Sequence, residues 1–225
     1  MLRRRTGFCD GQRPPQNLFP AGIIHQQEQM TVDTLRTFIA IVLPDPLLRQ
    51  LAQVQRQLER QAPPESVRWV KPEGIHLTLK FLGDTPVGKL DAIRAALAAV
   101  ASRASPCAFT VGGLGCFPNP RRPRVIWVGV QTAGGELAAL QRAVEAAMAP
   151  LGFSPEGREF TPHLTLGRVR DRIPSADLSR LGALVSSTDI GTLGEVQAHS
   201  FALIQSVLKP SGAEYTPLAE FRMGI

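Results

Sequence analysis

Apolar and polar residues follow strand-like spacing in some parts of the chain and helix-like spacing in others. Residues 31–43 form an extended run rich in β-branched and aromatic side chains, which predicts a strand. From Pro44 to about Arg60, leucines and a valine recur every three or four residues, which predicts an amphipathic helix. Pro63 and Pro64 then interrupt the chain. The sequence therefore predicts a strand followed by a helix at the start of the folded part.

The same patterns continue to the C-terminal region. Further strands are predicted at residues 67–70, 75–82, 107–116, 124–130, 160–169, 188–198 and 199–208. Helices are predicted at residues 90–101 and 136–148. Residues 83–84 are interpreted as a turn, and residues 170–187 favour neither state. The mixture of strands and helices predicts the α+β class.

The first 30 residues differ from the rest of the chain. They are rich in Gln, Pro, Gly and Arg and show no periodicity, which predicts a disordered N-terminal extension over residues 1–30. Residues 31–225 are then expected to form a single bilobal domain. Met30 directly precedes the first predicted strand, so we expect it to be the true start of translation.

Composition and charge narrow the class of protein. With 225 residues, 44% hydrophobic and 20% charged, the chain has an ordinary globular composition. The net charge of +6 favours anionic partners, although a solvated surface explains it equally well. No apolar run approaches about 18 residues, so a cytoplasmic protein without a membrane span is expected. Three cysteines without a Cys-x-x-Cys pair argue against a disulfide framework and a structural zinc site.

One tetrapeptide occurs twice in the chain. His76-Leu77-Thr78-Leu79 recurs as His163-Leu164-Thr165-Leu166, about half of the folded part later. Two of the four histidines in the chain open these tetrapeptides, and a Pro-Glu-Gly precedes each copy. The repetition predicts a duplicated unit and two related lobes.

The repeated tetrapeptide has a chemical meaning on a strand. Alternate side chains share a face, so each His lies beside a Thr while the leucines point to the core. Two imidazoles facing one cleft can divide acid–base work, because a reference pKa of about 6.5 lets one be neutral and the other protonated. The hydroxyls can bind anionic oxygens. These groups suit hydrolysis of a cyclic phosphodiester. The alternative is a structural role for each His, and the repetition of the tetrapeptide argues against it.

At these motifs the sequence resembles the 2H phosphoesterase superfamily, which is named for two His-x-Thr-x motifs. Within it, the chain is similar to the RNA 2′,3′-cyclic phosphodiesterases, also called 2′-5′ RNA ligases. The likeness covers roughly residues 35–225 and includes residues 36–40, 67–70, 76–83, 117–118, 123–130 and 160–168. It implies a bilobal fold: two pseudo-symmetric lobes of mostly antiparallel sheet, with helices outside and a central cleft.

The resemblance also implies an activity. It implies hydrolysis of an RNA terminal 2′,3′-cyclic phosphate to a 2′-phosphate, without metal, ATP or cofactor, and 2′-5′ ligation as a related transfer. It implies His76 as proton donor and His163 as proton acceptor, with Thr78 and Thr165 holding the phosphate. The identical motifs alone do not order the two histidine roles. The implied partners are RNA ends, with tRNA fragments as candidates, and a monomer is expected.

Other residues are weaker candidates. Lys80 follows Thr78 by two residues, which predicts the cleft face and either an RNA phosphate contact or a solvated side chain. Arg121, Arg122 and Arg124 form a basic loop and strand start, either an RNA contact or a solvated loop. Arg168 is expected on the opposite face, in a structural salt bridge.

Aromatic residues near the motifs are assigned to packing. Trp69, Phe81 and Phe160 can stack on bases, but core packing is the preferred interpretation. The chain also departs from the family at one point: relatives often carry Leu-Tyr-x-Ser-x-Leu in the last strand, and Ile204 stands in place of the Tyr. Two alternatives to the RNA enzyme stay open, a phosphodiesterase for small cyclic nucleotides and a non-catalytic RNA- or nucleotide-binding module.

Overall fold

The computed structural model describes residues 33–210 and 212–224. The predicted N-terminal extension, residues 1–30, lies outside the described residues. Within them, the strands and helices follow in this order: β1 (Thr34–Val42), α1 (Asp45–Gln61), β2 (Val67–Trp69), β3 (His76–Pro86), α2 (Leu90–Ala101), β4 (Cys107–Phe117), β5 (Val125–Gln131), α3 (Glu136–Met148), β6 (His163–Val169), α4 (Ser175–Ser187), β7 (Thr192–Ala198), β8 (Ser200–Lys209) and β9 (Gly212–Arg222).

The strands form one sheet with two halves. The strand order is β7-β4-β5-β6-β3-β1-β8-β9, with β2 paired to β6, and all the pairs are antiparallel. The two central strands, β3 and β6, share only the residue pair Leu77 and Leu164. The sheet therefore divides into a β3-β1-β8-β9 half and a β6-β5-β4-β7 half that meet at one point. This confirms the α+β class and the two lobes of mostly antiparallel sheet.

The helices cover the leucine face of the sheet. Leu77 and Leu164 are fully buried, in the same apolar core as the inward stripe of α1. That stripe includes Leu51 and Leu58, each of which contributes about 2 kcal/mol by leaving water. Asp45 lies in the first turn of α1, where its charge suits the positive end of the helix dipole. The helices leave the other face of β3 and β6, with its His and Thr side chains, partly exposed.

The structure corrects one prediction and defines one segment that the sequence leaves open. Residues 83–84 are not a turn: β3 continues to Pro86, and Gly83 adopts a φ of +70°, which a residue without a Cβ accommodates. Residues 175–187, in the segment without a prediction, form α4, which begins directly after Pro174. The last strand, β9, is absent from the predicted elements.

Candidate active site

The two tetrapeptides meet where the lobes join. Leu77 and Leu164 face each other in the antiparallel β3–β6 pair. Continuing this register places the first histidine opposite the second threonine, and the first threonine opposite the second histidine. All four side chains project from the face opposite the buried leucines, and all are partly exposed: His76, Thr78, His163 and Thr165. One β-bridge thus brings both repeats into a single site.

Each imidazole is held by a main-chain carbonyl two residues before it. Nδ1 of His76 lies 2.8 Å from the carbonyl oxygen of Gly74, and Nδ1 of His163 lies 2.8 Å from that of Thr161. A carbonyl oxygen only accepts, so each Nδ1 carries a hydrogen and donates it. Nε2 of each ring remains available to accept a proton when the ring is neutral and to donate one when it is charged.

The first imidazole lies in an aromatic slot. The ring of Phe38 stacks on that of His76 at a centroid distance of 4.5 Å, and Tyr215 meets His76 edge-on at 5.1 Å. Burial lowers the pKa of His76 to about 4, and the positive charges of Arg168 and His163 act in the same direction, against the hydrogen bond to Gly74. His76 is therefore neutral in the empty site near neutral pH.

The second imidazole has different neighbours. Phe117 meets His163 edge-on at 4.9 Å, and the Trp127 ring centroid lies 6.3 Å away. The indole Nε1 of Trp127 is buried without a hydrogen-bond partner among the described residues. Identical tetrapeptides thus sit in unlike surroundings, which the sequence repeat alone does not indicate.

A cavity of about 550 Å³ opens beside the crossing. His76, Thr78 and Thr165 line it, together with residues from β1, β2 and the β8–β9 hairpin. Its cationic lining residues are Arg36, Arg68, Lys71, Arg168 and Lys209. No Asp or Glu is among the lining residues in the part of the chain that the structure describes. The cavity is therefore suited to an anionic ligand.

A β-bulge corrects the prediction for Lys80. In the β1–β3 pair, Ala40 faces Thr78 but Ile39 faces Lys80, so Leu79 is an extra residue. Lys80 therefore turns inward and is 2% exposed. Its Nζ donates to the Glu145 carboxylate and to the carbonyl oxygen of Ser154, 2.8 Å away. Lys80 cannot contact RNA from this position, and the predicted cleft contact is wrong.

The same bulge turns Phe81 toward the cavity. The ring is 56% exposed and lines the cavity, so its assignment to core packing is wrong. Trp69, which the sequence assigns in the same way, is partly buried against the core and also lines the cavity. Phe160 is partly buried against the core.

The second repeat carries an equivalent bulge. In the β5–β6 pair, Trp127 faces Thr165 and Ile126 faces Gly167. A Cβ on Gly167 would lie 2.6 Å from Cγ1 of Val67, so no side chain fits there. Arg168 consequently points to the open face and lines the cavity, and among the described residues it has no carboxylate within salt-bridge distance. The expectation of a structural salt bridge on the opposite face is wrong.

The basic loop before β5 lies outside the cavity lining. The side-chain oxygen of Asn119 accepts hydrogen bonds from the main-chain N–H groups of Arg121 and Arg122. Nη1 of Arg124 donates to Asp171 at 2.9 Å. None of the three arginines lines the cavity, and their contact with RNA stays a prediction.

Ile204 and Tyr215 lie on neighbouring strands, and both are beside Phe38. Ile204 lies opposite Phe38 in the β1–β8 pair and is buried. Tyr215, on β9, packs against both Phe38 and His76. Sequence reasoning misses Tyr215 because it does not predict β9.

Two further observations concern the described residues. Residues 33–210 and 212–224 contain no group of three or more His, Cys, Asp or Glu placed to hold one metal ion. No helix in the same ranges is long and apolar enough to cross a membrane.

Sequence comparison identifies relatives along most of the chain. A family model described as "LigT like Phosphoesterase" matches twice, over residues 41–127 and 128–215. An RNA 2′,3′-cyclic phosphodiesterase of Methanothermobacter thermautotrophicus is 33% identical over 189 residues, or 84% of this chain and 99% of that relative. Its counterpart in Archaeoglobus fulgidus is 33% identical over 187 residues, or 83% of this chain and 99% of that relative.

Solved structures share the architecture. TT0787 of Thermus thermophilus has a TM-score of 0.69 and 28% sequence identity, covering 84% of this chain and 98% of that chain. LigT of E. coli, solved in complex with 3′-AMP, has a TM-score of 0.66 and 25% identity, covering 85% of this chain and 99% of that chain. The double match of the family model agrees with the two lobes and their repeated motif, and the chain belongs to the LigT-like family of 2H phosphoesterases.

Proposed function

We propose that this chain hydrolyses RNA terminal 2′,3′-cyclic phosphates to 2′-phosphates. The observation that carries the proposal is the crossing of β3 and β6, which brings two His-Thr pairs to one face with each Nδ1 bound to a carbonyl. Curated relatives that cover most of the chain are named for this activity, which supports the substrate class.

The proposed reaction is a single in-line displacement at phosphorus. His163 accepts a proton from water through Nε2, the water oxygen bonds to phosphorus, and the bond from phosphorus to O3′ breaks. His76 donates the proton that O3′ needs as it leaves. Thr78 and Thr165 donate hydrogen bonds to the non-bridging oxygens, and Arg168 stabilises their negative charge. The proposal assigns no step to a metal, ATP or a cofactor.

Because the pKa of His76 is low, we propose that the imidazole takes up its proton when the substrate binds. A pKa of about 4 leaves His76 neutral in the empty site, whereas the donor role requires the imidazolium. A bound phosphate anion favours the charged form and raises the pKa of a nearby imidazole. His76 therefore gains its proton when the cyclic phosphate binds.

The same groups support a related transfer. When an RNA 5′-hydroxyl replaces water, removal of its proton by His163 and protonation of O3′ by His76 give a 2′-5′ linkage. The proposal includes tRNA fragments among the RNA ends, a monomeric protein and a cytoplasmic location, as the family resemblance implies.

The deciding experiment is turnover of an RNA oligonucleotide with a 2′,3′-cyclic phosphate end, followed by mapping of the product end. A 2′-phosphate is expected, and a 3′-phosphate would contradict the proposed leaving group. The His76→Ala and His163→Ala variants test the motifs, and the exposed His199 provides the control His199→Ala. RNA binding without turnover would instead favour the non-catalytic module.

A further inference from the structure

Two arginines stand opposite each other at the cavity. In the β2–β6 pair, Arg68 is the direct partner of Arg168. Side chains of directly opposite residues lie on the same face, with Cβ atoms about 5 Å apart. Both arginines are exposed and line the cavity. Two guanidinium groups therefore share one wall of the cavity.

Arg170 and Arg124 have carboxylate partners, whereas the cavity arginines Arg36, Arg68 and Arg168 form no ion pair among the described residues. Arg170 pairs with Glu65 at 3.2 Å, and Arg124 pairs with Asp171 at 2.9 Å. Within residues 33–210 and 212–224, no carboxylate lies within 4 Å of the guanidinium of Arg68 or Arg168. Glu65 and Asp171 are thus engaged by other arginines.

Like charges placed directly opposite each other destabilise a sheet unless an anion balances them. Among the described residues, no carboxylate balances these two arginines. Arg36 and Lys71 add two further cations to the same cavity. Lys209 contributes less, because it forms an ion pair with Glu214. The remaining positive charge exceeds what a cyclic phosphate needs, since that group carries one negative charge and already has Arg168 beside it.

The position of Arg68 identifies the missing anion. Arg168 is near enough to His76 for its charge to lower the pKa of that imidazole, which places it toward the reacting phosphate. Arg68 lies directly across from it on β2, at the same level along the strands and about 5 Å away between Cβ atoms, which leaves Arg68 beside the reacting phosphate's cation. Trp69, next to Arg68, packs partly against the core and also lines the cavity.

We propose that Arg68, supported by Lys71, binds the phosphate on the 5′ side of the terminal nucleotide. The substrate class is then an RNA end with at least one phosphate beyond the cyclic one, not a nucleoside 2′,3′-cyclic phosphate alone. This inference rests on the proposed function and adds a second anion subsite to it. It also explains why two opposed arginines are tolerated: each has a phosphate of the same strand as its counter-charge.

The test compares two small substrates that differ only in this phosphate, adenosine 2′,3′-cyclic phosphate and its 5′-phosphorylated form. The wild-type protein is expected to show a kcat/KM about 10- to 100-fold higher for the 5′-phosphorylated substrate, the usual effect of a hydrogen bond between charged groups. Arg68→Gln should lower kcat/KM for the 5′-phosphorylated substrate much more than for the unphosphorylated one, which brings this ratio close to one. Arg68→Lys should retain part of the ratio.

A matched control removes an arginine elsewhere. Arg49→Gln, on the exposed face of α1, should leave the ratio unchanged. A wild-type ratio near one, or equal loss on both substrates in Arg68→Gln, would overturn this inference while leaving the proposed function intact. If neither these substrates nor a cyclic-ended RNA is turned over, the proposed function fails and this inference with it.

Discussion

His76→Gln is expected to make the protein less sensitive to acid. In the folded protein the pKa of His76 is about 4, below the value of 6.5 for an unperturbed imidazole. Between these values the unfolded chain binds a proton that the folded protein excludes. The free energy of unfolding must therefore fall as the pH falls through this window. Glutamine removes the titrating group, so this contribution disappears.

The size of the effect follows from the pKa difference. The shift corresponds to about 3 kcal/mol in total. About 2 kcal/mol of this is lost between about pH 7 and about pH 5, because the unfolded imidazole is almost fully protonated at the lower pH. For a domain of this size, the same loss lowers the Tm by about 4–8 °C. Above about pH 7, His76 no longer makes the free energy of unfolding depend on pH, because its imidazole is mostly neutral in both the folded and the unfolded chain.

Urea unfolding at pH steps between about pH 7 and about pH 4 measures the effect. The wild type should lose about 2 kcal/mol more than His76→Gln over the first two pH units. His199→Gln, at an exposed position, controls for the loss of an imidazole as such. Equal acid dependence in the wild type and His76→Gln would refute the buried, neutral state of His76.

Four further outcomes test the site. His76→Ala and His163→Ala should each lower turnover by about 10²–10⁴-fold and keep the native circular dichroism, since both side chains line the open face. The wild-type rate should follow a bell-shaped pH profile; His163→Ala should flatten the acidic limb of the residual rate and His76→Ala the alkaline limb, and the opposite pattern would exchange their roles. EDTA should leave the rate unchanged, and loss of activity restored by a divalent ion would overturn the metal-free mechanism. Lys80→Met should destabilise the fold by about 3 kcal/mol in urea unfolding, because it leaves the partly buried Glu145 without its cation, with only the hydrogen bond from Gln141. Adding Glu145→Leu should recover most of this, and no recovery would contradict the pairing.

The sequence predicts best the helices and strands whose ends are determined by residues close in the chain. The boundaries of α2 and α3 match the prediction, because alanine-rich helical spacing defines them along the chain. Strand β9 escapes prediction because Pro217 interrupts its pattern. A proline is tolerated there because β9 is an edge strand, whose outward N–H groups need no partner.

Some features of the candidate site are likewise predictable from the sequence, and others are not. The repeat and strand alternation predict the shared face of each His and Thr, since the spacing of those residues is regular. The bulges at Leu79 and Leu166 depend on pairing with β1 and β5, which sequence spacing does not contain. For this reason strand alternation assigns Lys80 and Arg168 to the wrong faces. The cavity cations come from distant parts of the sequence, and only the folded sheet brings them together.

After each of the two bulges, a different type of side chain turns toward the cavity. Phe81 and Arg168 hold equivalent places in the two repeats, five residues after each histidine, and both face the cavity. One end of the β3–β6 crossing therefore offers an aromatic ring and the other a guanidinium. A nucleic acid strand has unlike ends as well, so a strand entering in reverse would meet the ring where its phosphate needs the cation. The two repeats share their histidines and threonines, and the unlike residues that follow, Phe81 and Arg168, make the two ends of the site chemically different.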